Sequence, residues 1–266
     1  MNALDRRRQR ALRLNRWTLG LARHWLKIAL VVVGIFAALP WIAPTLMHFG
    51  LTGPARALYT VYSPFCHQFA FRSIFLYGDQ TFYPRAVSGT TQLPFEVEAS
   101  ASAEWQAAVA NWVGIPGRSM FASVETFDPY VWSPDLQFAA REFLGSEQMG
   151  YKTTLCARDM TSYTMLFVGM LIYTIPVVRR RLRPAPVLLY ILLGLAPIGI
   201  DGMSQLLGYA PFNLWPPRET DPIFRVVTGG LFGLMNAWLG LPYLEASFKD
   251  TRQQIEIKLL RAGLTP

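Results

Sequence analysis

Charge is scarce in this chain. Only 16% of its 266 residues are charged, while 52% are hydrophobic. A soluble domain carries roughly 25% charged residues, so the apolar side chains here must gather in solvent-free surroundings and an ordinary soluble globule is excluded. Acidic residues are the scarcer sign, 17 against 25 Lys and Arg, for a net charge of +8. That surplus does not form a nucleic-acid footprint. It is concentrated in Arg6, Arg7, Arg8, Arg10, Arg13, Arg16, Arg23 and Lys27 ahead of the first apolar run, and in Arg179, Arg180, Arg181 and Arg183 between two later ones. Basic clusters that flank apolar runs are the positive-inside signature of a membrane protein, and no nucleic-acid partner is expected.

Cysteine is nearly absent. Two residues, Cys66 and Cys156, are too few for a disulfide framework of the small-secreted-domain kind. Histidine is limited to His24, His48 and His67. No HExxH, GxSxG, phosphate-loop or dinucleotide pattern occurs, nor any internal repeat, heptad array or low-complexity tract.

The apolar runs are close to the ~20 residues that cross a hydrocarbon core. A basic cytoplasmic segment, 1–25, precedes the first span, 26–49, whose core is IALVVVGIFAALPWIAPTLM. Pro40 and Pro44 are expected to perturb its outer end. A cleaved signal peptide is the rival reading of this start, but apolar character continues beyond a small-residue cleavage point near Ala37 and Ala38, which favours a retained helix. Residues 50–158 follow as an extracytoplasmic segment. It begins with an amphipathic stretch that leads into Cys66 and contains a polar subdomain over 79–151, in which AEWQAAVANWVG and DLQFAAREFLG have the pattern of short helices. Ser133-Pro134-Asp135 supplies a helix start for the second. Spans at 160–178, 187–207 and 223–244 are joined by a cytoplasmic loop, 179–186, and an external loop, 208–222, and a basic tail covers 245–266. The expected fold is therefore an all-α membrane protein, a four-helix transmembrane bundle with both termini in the cytoplasm, placed multi-pass in the plasma (inner) membrane with its large loop outside. Gly229, Gly230 and Gly233 on the fourth span would allow close helix packing.

This topology sets the unusual residues at one depth. Asp201 lies about 14 residues into the third span, roughly 21 Å from its inner end. An acid within a span costs about 2.5–3.5 kcal/mol on insertion scales, so it needs a partner. Gln205 lies one turn away, Arg225 is the natural charge partner by depth with Arg218 as the alternative, and Thr228 completes an intramembrane polar network. A structural pin between helices and a catalytic or transport role for Asp201 are both open. Cys66 and His67 follow the first span, and Cys156, Arg158 and Asp159 immediately precede the second. Three readings of the cysteines are open: a Cys66–Cys156 disulfide, a metal site built from Cys66, His67, Cys156 and Asp159 for zinc or another divalent ion, or free thiols. Both linked forms require the two cysteines to be side by side.

The ordered motifs SPFCHQFAFRSIFLYG, FLGSEQMGYKTTLCARDMTSYTMLFVGMLIY, DGMSQLLG and RVVTGGLFG resemble a prokaryotic family of predicted membrane proteins, domain of unknown function 2085. The resemblance runs over about 60–245. It singles out Cys66, His67, Gln68, Arg72, Ser73, Cys156, Arg158, Asp159, Asp201, Gly202, Gln205, Arg225, Thr228 and Gly229. Asp159 stands where many members have a second cysteine. The family carries no established activity, so three function classes remain. The first is a metal-binding or disulfide-stabilised membrane protein. The second is an accessory subunit of a larger membrane complex. The third is a small-solute transporter or membrane enzyme that uses Asp201 and His67. Apart from lipid and such subunits, no partner is implied.

The sidedness is directly testable. In a background lacking both native cysteines, Ser100→Cys is expected to react with an impermeant thiol reagent from outside, and Leu182→Cys only after permeabilisation. Labelling of position 100 from the cytoplasmic side alone would invert the topology.

Overall fold

The computed structural model describes residues 3–209 and 211–265, without the side chains of residues 3–6 and Arg8; the arginine-cluster reading at Arg6 and Arg8 therefore lies outside the described residues. Among the described residues three helical segments are long and apolar enough to cross a membrane: Gln9–His48, Val187–Gly208 and Pro222–Arg261. The first belongs to α1, Ala3–His48. Arg, Leu and Ala all favour helix, so nothing in the sequence stops α1 at the membrane boundary, and the expected break between residues 25 and 26 is absent. Pro40 and Pro44 lie inside it. Pro40 has no amide to give the carbonyl of Phe36. That carbonyl instead accepts a 2.7 Å hydrogen bond from the Tyr62 hydroxyl, the kind of external satisfaction that lets proline persist in a membrane helix.

Tyr62 ends α2, Thr52–Tyr62, which lies where the amphipathic stretch predicts a helix. The chain then enters the subdomain through β1, Ser73–Leu76. Three short helices follow: α3, Phe95–Ser100, α4, Ala103–Ala110, and α5, Pro134–Glu142. The α5 start agrees with the sequence, since the Ser133 hydroxyl accepts the Leu136 amide and Pro134 opens the helix. The subdomain has its own aromatic core of Phe69, Phe71, Phe95, Trp105 and Phe143. It also holds the main departure from an all-α expectation, a small antiparallel sheet. The strands β2, Gly145–Ser146, and β3, Gly150–Cys156, join β1 in the order β1-β3-β2. Ser73 is opposite Cys156 and Phe75 opposite Lys152.

β3 runs straight into α6, Ala157–Tyr173. The expected 160–178 span is interrupted, because Pro176 forces Ile175 into an extended conformation and starts the short α7, Pro176–Arg181. The next segment comprises α8, Val187–Leu189, a π-helical stretch Tyr190–Leu195, and α9, Ala196–Gly208. The wider turn lies directly ahead of Pro197, which cannot donate back to the preceding turn. Finally α10, Pro222–Arg261, continues well beyond the expected end at 244. Its distal half packs on the start of α1: Leu19, Ile255 and Leu259 form one buried cluster, and Arg23 bonds Glu256 at 2.9 Å. Trp25 and Arg179 both donate to Glu245. The basic start is thus one half of a helical pair.

The closest helix pairing joins α6 and α10. A β-carbon on Gly229 would strike the Arg158 carbonyl, and one on Gly233 the Ser162 carbonyl; this bears out the packing role expected of those two glycines. Gly230 is looser, with only Met165 at ordinary contact distance. Gly233→Leu is expected to destabilise the protein by about 1–3 kcal/mol or more through overpacking, measured as loss of thermal stability in detergent. Ala at position 230 should be nearly neutral.

Candidate thiol and charge site at the head of the helices

Cys66 sits in the turn after α2, and Cys156 closes β3 as the residue capping α6. The turn is held in place by three contacts. Gln68 adopts φ 58°, a conformation that side chains other than glycine rarely take. Its side-chain amide donates to the Tyr59 carbonyl at 2.8 Å, and its own carbonyl accepts from the buried Lys152 ammonium at 2.7 Å. Lys152 also caps the end of α5 through the Ala140 and Arg141 carbonyls. The strained turn aims the Gln68 amide at Cys66 Sγ, 3.4 Å away, and the Cys156 amide reaches the same sulfur at 3.2 Å.

Asp159 lies one turn into α6, on the same face as Cys156, and its Oδ2 accepts from Cys156 Sγ at 3.1 Å. Ligand atoms of Cys66, Cys156 and Asp159 all lie within 4.8 Å of one another. The two cysteines carry free thiols, and the proximity expected of them is observed. His67 is not part of this group; its ring lies against Phe69, centroids 5.3 Å apart. Adjacent residues of a turn diverge, so Cys66 and His67 do not converge on one point. Hydrogen bonding with the neighbouring Cys156 thiol, together with the two amides, holds the Cys66 pKa below its ordinary value against burial and the Asp159 charge. Cys156, buried beside Cys66, is pushed well above.

Beside the thiols lies a network of four arginines and two carboxylates. Asp201, 3% exposed, pairs with Arg158 of α6 and with Arg218 at 2.8 Å. It also accepts from the Thr220 hydroxyl at 2.8 Å and from Gln205 at 3.3 Å. The expected direct pairing of Asp201 with Arg225 does not occur. Arg225 instead reaches the Gln205 carbonyl oxygen at 3.0 Å and pairs with Glu219, so it joins Asp201 only through Gln205. Depth along the membrane normal matched Asp201 with Arg225, but their directions around the bundle differ. Thr228 also falls outside the network, its hydroxyl donating to the Phe224 carbonyl of its own helix at 2.9 Å.

Glu219 escaped the sequence reading, which placed it in an external loop. That loop folds back over the helices: Trp215 donates to the Ser204 carbonyl at 2.8 Å, and Tyr209 donates to Glu219 at 3.1 Å. Arg72 grips Glu219 with two bonds, at 2.8 and 2.9 Å. Arg72 also lies over the rings of Phe69, Phe71 and Trp132, and Trp132 stacks on Tyr209 at 4.1 Å. The available signal was the spacing of charges, with Glu219 between Arg218 and Arg225. Burial pushes the Glu219 carboxyl up, but Arg72 and Arg225 more than offset it and leave its pKa below the usual value.

Glu219→Gln leaves Arg72 and Arg225 sharing a neutral group and is expected to lose about 3–5 kcal/mol. Asp201→Asn should lose less, because the half-exposed Arg218 can turn to water. A carboxylate with a lowered folded pKa contributes stability that is full above its unfolded pKa and disappears as pH falls through the folded one. Thermal melts in detergent should therefore show an acid-side loss below the ordinary carboxylate range, and that component should be missing in Glu219→Gln.

Residues 147–239 match the sequence family described as "Predicted membrane protein (DUF2085)". This segment includes Cys156, Asp159, Asp201, Glu219 and Arg225, whereas Cys66, His67 and Arg72 precede it. An uncharacterized protein of Methanocaldococcus jannaschii is 31% identical over 102 residues, covering 38% of this chain and 59% of that relative. The chain thus spans less than two thirds of the length of the curated relative it matches. No solved structure matches. As the motif resemblance implies, the chain matches the DUF2085 family of predicted membrane proteins over residues 147–239.

Proposed function

We propose that this is a multi-pass protein of the plasma membrane that binds one divalent transition metal of the zinc class at its outer face, through Cys66, Cys156 and Asp159. The observation that carries the reading is the convergence of two thiols and a carboxylate within 4.8 Å, drawn from a turn, a strand end and a helix start. Thiolate, imidazole and carboxylate are the donors zinc takes. The amides of Gln68 and Cys156 that face Cys66 Sγ would stabilise a thiolate there. The four-arginine, two-carboxylate network alongside supplies surplus positive charge, which offsets the net negative charge of a metal held by two thiolates and a carboxylate.

Four membrane crossings fit this reading. α6 has 17 residues, about 26 Å of helix, close to the ~30 Å hydrocarbon thickness, and it packs along its whole length on the candidate span in α10. Arginine-rich ends then lie in the cytoplasm and the subdomain outside. Asp201 is saturated by two guanidiniums, a hydroxyl and an amide, which favours a structural pin over a transport or catalytic role. A Cys66–Cys156 disulfide is the competing use of the same geometry.

Metal analysis with thiol counting on detergent-purified protein separates the two. About one zinc per chain is expected, lost in Cys66→Ser and Cys156→Ser and weakened in Asp159→Asn. Asp159→Cys should retain it. Metal-free protein with two reactive thiols after zinc supplementation, or protein isolated as the disulfide, would overturn the proposal.

A further inference from the structure

Beside the thiol site, α6, α9 and α10 line a half-open cavity of about 270 Å³. Asp159, Ser162, Tyr163 and Leu166 line it from a single face of α6, at the 0, 3, 4 and 7 spacing of one helical stripe. Phe232 and Asn236 of α10 and Ile198 of α9 close it. The space is generous for its setting, since roughly 150 Å³ of apolar cavity accommodates benzene.

The lining is mainly apolar, but the polar groups set into it are not what a lipid tail requires. Helices that face hydrocarbon gain nothing from an acid, a phenol and an amide turned into a common hollow, and each group left unpaired there costs free energy. The Ser162 hydroxyl and one oxygen of Asp159 already have partners. The Ser162 hydroxyl lies against the Arg158 and Gly229 carbonyls at 2.8 and 3.1 Å, and Asp159 accepts from Cys156 at 3.1 Å. Asn236 uses one amide hydrogen on the Phe232 carbonyl at 2.7 Å, while its oxygen accepts from Tyr190 at 3.2 Å. The second amide hydrogen of Asn236 and the Tyr163 hydroxyl take no protein acceptor among the described residues. The cavity therefore offers donors to an incoming acceptor. It has no Lys, Arg or His in its lining, so a phosphate or carboxylate would enter unpaired, at a penalty of several kcal/mol.

We infer that the cavity between α6, α9 and α10 binds a neutral, lipid-soluble ring compound bearing carbonyl-type oxygen, of the quinone or enone class. The oxygen accepts from Tyr163 and Asn236, and the ring lies against Leu166, Ile198 and Phe232. The site stands on the cavity and its donors and does not depend on metal at the thiols.

The test uses the full chain in lipid nanodiscs with duroquinone as probe and durene, a ring of the same size without oxygen, as control. Saturable quenching of tryptophan fluorescence by duroquinone is expected, and durene should not compete. Tyr163→Phe should weaken binding about tenfold, as for loss of one buried hydrogen bond. Ile198→Phe and Leu166→Phe should block it by filling the space. Quenching that rises linearly with membrane partition, competition by durene equal to duroquinone, or unchanged affinity in a folded Ile198→Phe or Leu166→Phe protein would overturn the inference. If both filled variants fail to fold, the Tyr163→Phe affinity decides, and an unchanged value overturns it. Binding that persists in Cys66→Ser shows that the cavity site holds without metal, whereas zinc retention without saturable binding removes the cavity site alone.

Discussion

The rest of the structure depends on one buried carboxylate. Glu219 is shared by Arg72, from the entrance to the subdomain, and Arg225, from the first turn of α10. The Arg225 guanidinium is buried and that of Arg72 is only partly exposed, and a buried cation without its anion is among the most destabilising single defects a fold can carry. The pairing therefore fixes more than two side chains. It holds the returning loop over the helix ends, places Tyr209 beneath Trp132, and so sets the aromatic core of the subdomain in one orientation relative to the helices. A polar network is acceptable in such surroundings only when its members are satisfied. Here Gln205 bridges the two carboxylate centres by accepting from Arg225 and donating to Asp201, and Arg158 Nε is left without a partner among the described residues.

That orientation is what makes the thiol site. Cys66 and Cys156 are 90 residues apart in the chain, and loop-closure entropy grows only logarithmically over such a length. The free energy to hold their sulfurs together comes from the antiparallel pairing of β1 with β3, which sets Ser73 opposite Cys156, and from the left-handed Gln68 turn that Tyr59 and Lys152 clamp. A strained residue persists only where its surroundings over-determine it. Gln68 meets that condition with its side chain, its carbonyl and its amide all engaged, the last on the sulfur itself.

Much of this was legible in the sequence. Apolar length located most of the long helices, the Ser133 cap located α5, and Gly229, Gly230 and Gly233 marked α10 for close packing, which Gly229 and Gly233 make against α6. Depth alone drew Cys66, Cys156, Asp159, Asp201 and Arg225 to one level. Other features were hidden for physical reasons. Depth is a single coordinate and says nothing about direction around the bundle, so Asp201 was matched with Arg225 when Arg158 and Arg218 are its partners. The strands are short, and their register comes from tertiary pairing more than from alternation, as the buried Lys152 in mid-strand shows. Helix ends were misplaced where composition stays helix-forming, in α1 and α10, and the break that Pro176 imposes inside the expected 160–178 span was missed.

The charge imbalance of the network follows from its neighbours. Four arginines around two carboxylates would be a poor arrangement in isolation, since each uncompensated guanidinium near low-dielectric surroundings is costly. Arg218 relieves part of that by remaining 45% exposed. The thiol site lies close enough to the network that both Arg72 and Arg225 interact electrostatically with Cys156. An anionic thiol site, as the proposed metal site would be, and the cationic surplus of the network would then be two halves of one balance. Removing negative charge from the thiol site should be felt by the arginines, and loosening the arginines should be felt at the sulfurs. Asp159 stands at the junction, hydrogen-bonded to Cys156 on one side and lining the cavity between α6, α9 and α10 on the other. Any ligand that enters that cavity meets the same carboxylate that would hold the metal.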